Sequence, residues 1–67
     1  MSVARITEIS ASSEKGFDAA VSAGIKRASK TLQNVTGAWI QDHEVVVKNG
    51  KVIEYRVKMK VTFILKD

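Results

Sequence analysis

The sequence predicts an α+β fold: a β-α-β-β protomer in which a three-stranded antiparallel sheet wraps around one amphipathic helix. Three observations carry this. Ile53, Tyr55, Val57, Met59, Val61, Phe63 and Leu65 alternate strictly with polar residues, the period of a half-buried strand. Asn49-Gly50 just before them supplies the positive φ angles that a type I′ hairpin turn needs. Upstream, Phe17, Val21, Gly24, Ile25, Ala28 and Leu32 recur at the spacing of one helix face.

Each element follows in order. Val3 to Ile9, rich in β-branched residues, reads as a first strand, and the serine-rich stretch Ser10 to Ser13 is expected to end it. Ser12 or Ser13 is the expected helix N-cap, with Glu14 complementing the positive end of the dipole. The helix is expected from about Glu14 to Asn34, with Lys26, Arg27 and Lys30 toward its negative end. Gly24, on its apolar face, should let another backbone approach closely. The hairpin joins Ala38–Lys48 to Lys51–Lys66, one face apolar and the other wet and cationic. Phe17, Val21, Ile25, Ala28 and Leu32 should then meet Ile53, Tyr55, Val57, Met59 and Val61 across one interface.

Composition narrows the function classes. The 67 residues read as a single domain, 1–67, 45% apolar and 27% charged, with a net charge of +4. No cysteine is present, so neither a disulfide framework nor a thiolate metal site supports the fold. One histidine and no cysteine make a catalytic triad hard to build, and a non-enzyme is expected. No apolar run is long enough to span a bilayer and nothing at the N-terminus reads as a signal peptide, so the expected compartment is the cytoplasm. The positive charge favours small anionic partners or nucleic acid.

Lengths ask for self-association. A helix of about 20 residues spans roughly 30 Å, whereas a strand of about 15 residues spans roughly 50 Å. An apolar overhang from Val61 to Leu65 and two free sheet edges are expected to need a neighbouring subunit.

With Asn49 and Gly50 as the loop, the simplest register pairs Lys48 with Lys51, His43 with Arg56, Gln41 with Lys58 and Trp39 with Lys60. The candidate binding residues are therefore Trp39, Gln41, His43 and Arg56, beside Lys58 and Lys60 on the face away from the helix. An indole can stack a planar ring, while amide, imidazole and guanidinium groups satisfy its polar edge. The same register turns Asp42 and Glu44 toward the helix, a conflict that a bulge in the second strand or exposure near the hairpin tip would relieve.

Particular runs resemble a known family. Ser13-Glu14-Lys15-Gly16-Phe17-Asp18-Ala19-Ala20-Val21, then Ile25 through Leu32, then Tyr55 through Phe63 are similar to the corresponding segments of the dodecins. The resemblance covers nearly the whole chain. It implies a hollow homododecamer that binds and stores flavin, FMN or riboflavin, without turnover. Flavin-binding members stack the ring on a tryptophan at the start of the second strand and hold its edge with a glutamine in the third; an ungapped match puts Gly37 and Arg56 at those positions. Trp39 lies two residues on and, by period two, on the same face as Gly37. Tyr55-Arg56 also resembles a subgroup in which some members bind calcium, although this chain has no oxygen-rich loop of the kind calcium requires.

The expected function is thus non-enzymatic binding and sequestration of a small planar or anionic ligand, flavin first. The alternatives are a cage for metal ions or another anion, and a basic nucleic-acid-binding module. Against the last, only one aromatic residue falls on the basic face, where stacking platforms use several. No metal-ligand set is assigned.

Overall fold

In a computed structural model describing residues 2–66, the chain runs β1 (Val3–Ser13), α1 (Phe17–Thr31), β2 (Val35–Lys48) and β3 (Lys51–Leu65). The alternating segment β3 is the centre of the sheet, with order β1-β3-β2 and both pairings antiparallel. The β-α-β-β fold expected from the sequence is the one observed. At the hairpin, Asn49 (φ 53°) and Gly50 (φ 76°) both take positive φ, as a type I′ turn requires.

The first strand starts at Val3 as expected, but its end and both ends of the helix differ from expectation. The serines do not end β1: it continues through Ser12 opposite Arg56 to Ser13 opposite Tyr55. Ladder bonding to β3, together with packing of Ile9 and Ala11 against the core, outweighs the turn preference of serine. The helix consequently begins at Phe17, with Gly16 at the N-cap and no side-chain capping bond. The Ser13 hydroxyl instead accepts a hydrogen bond from the Lys15 N–H at 3.0 Å. At the other end Leu32 is already extended, and Asn34 adopts φ 63°. Asn34 also ties the start of β2 to β3: its carbonyl accepts from the Ile64 N–H at 3.0 Å, and its amide donates to the Ile64 carbonyl at 3.4 Å.

The centre of the helix–sheet contact is made of small residues. Ala20, Gly24 and Ala28, one helical repeat apart, are buried against Val57, Met59 and Val61, which are wholly inaccessible. The larger Phe17, Val21, Ile25 and Leu32 flank that line and are half-buried. A Cβ built on Gly24 would lie 2.9 Å from Met59 Cε and 3.0 Å from Ala11 Cβ, so the close approach it permits is by side chains rather than by another backbone. Ile53 does not join the interface and is 44% exposed, because it is skipped in the pairing of β3 with β2.

Fifteen helical residues cover about 22 Å of a molecule 51 Å long. The uncovered apolar surface is not where the sequence placed it. Val61 is buried, Phe63 and Ile64 are half-buried, and only Leu65 of that stretch is exposed. Apart from Trp39, the exposed large apolar side chains collect at the two ends: Val45, Val47, Val52 and Ile53 around the hairpin tip, and Val3, Ile6 and Leu65 at the opposite end.

Candidate ligand-binding face

Of three one-residue irregularities in the β2–β3 pairing, the two flanking residues 42–46 determine what the outer sheet face carries beside Trp39. Counting back from the turn, Val47 pairs with Val52, but Val46 pairs with Glu54, leaving Ile53 unpaired. From there Val45 faces Tyr55, Glu44 faces Arg56, His43 faces Val57 and Asp42 faces Lys58. Gln41 is then skipped on β2, and the original register resumes with Ile40 opposite Met59 and Trp39 opposite Lys60. Two bulges, one on each strand, shift the pairing by one residue and shift it back.

This corrects the expected arrangement of the candidate residues. Trp39 does lie opposite Lys60, with the Lys60 ammonium 5.6 Å from the centre of its ring. Arg56 lies opposite Glu44 rather than His43, and Gln41 has no ladder partner. His43 pairs with the buried Val57 on the helix side, its imidazole 4.8 Å from the Phe17 ring. Asp42 and Glu44 are released to the outer face, resolving the conflict in the simple register.

The outer face is therefore not simply cationic. Across the sheet Lys60 has Glu8 on one side and Trp39 on the other; Lys58 has Ser10 and Asp42; Arg56 has Ser12 and Glu44. Arg56 Nε also donates to Glu54 Oε1 at 3.4 Å, the one ion pair formed among the described residues. The Ser12 hydroxyl, aided by Arg56, holds the Glu54 carboxyl below its usual range. Asp42, Glu44, Arg56, Lys58, Ser10 and His43 border a shallow cavity of about 270 Å³. Sequence reasoning missed Asp42 and Glu44 as part of this surface because their facing depends on the bulges, and Ser10 because β1 runs on past Ile9.

Among the described residues Trp39 is the most exposed large apolar side chain, at 64%. Gly37, opposite Thr62 on the same outer face, has no atom within 4 Å of where a Cβ would stand. The indole thus stands beside open surface. A larger groove, about 480 Å³, lies between α1 and β1, lined by Ile9, Ala11, Gly24, Ala28 and Leu32 together with Arg27. None of the candidate residues borders it. Among the described residues no three His, Cys, Asp or Glu side chains converge as a metal site, and no helix is long and apolar enough to cross a membrane.

Comparison with known proteins agrees with this architecture. Residues 3–66 match the family profile described as Dodecin. The structure of dodecin from Streptomyces davaonensis superimposes with a TM-score of 0.94 at 33% identity, covering 98% of this chain and 97% of that one. An arginine-to-alanine mutant of the T. thermophilus dodecin gives 0.94 at 30% identity, with both chains covered completely. The calcium-chelating antigen of Mycobacterium tuberculosis, called calcium dodecin, gives 0.83 at 23% identity over 96% of this chain and 91% of that one, a likeness of fold. Among curated proteins no match is found.

Proposed function

Since the chain belongs to the dodecin family, a non-enzymatic family of small-ligand-binding proteins, we propose that it binds and stores a flavin, FMN or riboflavin, between the subunits of a homododecamer. The observation that carries the reading is the exposed indole of Trp39, on a sheet face pointing away from its own core. The indole stacks the flat ring; Gln41, freed from the ladder by the bulge, and Arg56 hydrogen-bond its polar edge. His43 contributes by anchoring β2 against Phe17 rather than by touching the ligand. The protomer supplies only one wall, so the second comes from a neighbouring copy, which the exposed apolar ends help to recruit.

An acid opposite or beside most of the outer cations disfavours the nucleic-acid alternative, which needs an uncompensated basic stripe. Titration with FMN and riboflavin, followed by flavin fluorescence, tests the ligand; quenching at micromolar concentrations is expected, and its absence removes flavin. Light scattering tests the assembly, with a mass of about twelve times the 7.4 kDa chain expected.

A further inference from the structure

Of the three cations in the row Arg56, Lys58 and Lys60, one is placed differently. Arg56 and Lys58 each face an acid on β2, Glu44 and Asp42, and Arg56 is further held by Glu54. Lys60 faces Trp39 instead, and its ammonium lies 5.6 Å from the indole centre. Glu8 is opposite it on β1; among the described residues neither Lys60 with Glu8 nor Lys58 with Asp42 closes to an ion pair, so what sets Lys60 apart is its place at the indole. A cation over an aromatic face keeps its three N–H donors unspent, because the ring offers no lone pair.

We infer that Lys60 is the residue that selects, among aromatic ligands stacking on Trp39, those carrying a negative charge beside the ring. This rests on the ligand reading above and adds to it a chemical class: a planar ring bearing a phosphate, sulfonate or carboxylate. An anion on a ring stacked on the indole, or on a flexible arm that folds back beside it as the ribityl phosphate of FMN can, comes within reach of an ammonium already held at the indole. A charge-assisted contact then forms at little ordering cost, since the half-buried lysine stem is already placed. A neutral ligand gains nothing from it.

FMN and riboflavin differ by one phosphate and so isolate the effect. On the assembled protein, FMN is expected to bind about three- to tenfold more tightly than riboflavin, the range of a partly exposed charge contact. In Lys60→Met, which keeps the stem and removes the charge, the ratio should fall to within about twofold, with riboflavin affinity nearly unchanged. Lys58→Met should leave the ratio intact. An unchanged ratio in Lys60→Met, or an equal loss for both ligands, overturns the inference. Should Lys60→Met fail to assemble, salt gives the same information on the native protein: the FMN preference should vanish near about 1 M salt, where the Debye length is about 3 Å, and a preference that survives overturns it.

A second pair, naphthalene-2-sulfonate and 2-naphthol, followed by fluorescence of the single tryptophan, separates this inference from the flavin reading. Lys60-dependent preference for the sulfonate without flavin binding removes flavin and supports the charge selection. Flavin binding that ignores phosphate, together with equal affinity for the naphthalene pair, removes the charge selection and leaves flavin. Silence of Trp39 toward both pairs removes both.

Discussion

His43 meets Phe17 edge-on, with ring centroids 4.8 Å apart and planes at 87°. The same phenyl ring meets Tyr55 at 5.2 Å and 76°. An element of each kind, helix, edge strand and central strand, is thereby joined at one aromatic cluster near the start of α1. Phe17→Ala should cost about 2 kcal/mol, below the full core value because the ring is half-buried. A double-mutant cycle with His43→Ala should give a coupling of about 0.5–1.5 kcal/mol, measured by urea unfolding at one protein concentration. Additive losses would mean that the two rings do not support each other.

Gly24 offers the sharpest packing test. Met59 Cε can swing away from a new methyl group, but Ala11 Cβ is fixed on β1. Gly24→Val should therefore destabilise by about 1–3 kcal/mol through overpacking, seen as a lower urea midpoint. Gly37→Ala, with open space around it, should leave the midpoint nearly unchanged.

The bulge at Gln41 can be removed. Deletion of Gln41 joins Ile40, opposite Met59, directly to Asp42, opposite Lys58, so the ladder becomes regular while Trp39 stays opposite Lys60 on the outer face. Acrylamide quenching of Trp39 should stay nearly unchanged, and flavin binding should weaken through loss of the Gln41 amide. A shielded tryptophan in the deletion variant would show that β2 had slipped by one residue instead.

Glu54 gives a pH dependence of known sign. Its carboxyl is held low by the Ser12 hydroxyl and then by Arg56, so its contribution is present above the unfolded carboxylate range and is lost as pH falls through the folded value. Glu54→Gln should flatten the acid side of the stability profile while leaving its shape above neutrality unchanged, measured by thermal unfolding across pH.

How far these features could be read in advance depends on their range in the chain. The turn at Asn49-Gly50 and the alternation of β3 are local signals, and both appear in the fold as expected. The sequence predicts too early a helix start because Glu14 and the serines have good local capping chemistry, whereas β1 gains a ladder with a strand some forty residues away. Facing along β2 is harder still. Each bulge reverses it, and no residue type at Gln41 or Ile53 announces one, so Trp39 and Arg56 came out on the expected face while His43, between the two bulges, did not. The only hint was energetic: Asp42 and Glu44 could not both face a helix.

Placing β3 between its neighbours also sets an order of events. The β2–β3 hairpin can zip outward from Asn49-Gly50 through contacts close in sequence, whereas β1 must bring Val3 to Leu65, almost the whole length of the chain. Closing so long a loop is slow compared with hairpin formation, so β1 is expected to dock last. Until it does, one flank of β3 is an open template, and a nascent chain beside another could lend its β1 to the wrong partner. At high concentration, refolding yield should therefore be governed by strand exchange, and a tandem chain in which one copy's C-terminus leads directly into the next N-terminus would make that exchange more frequent.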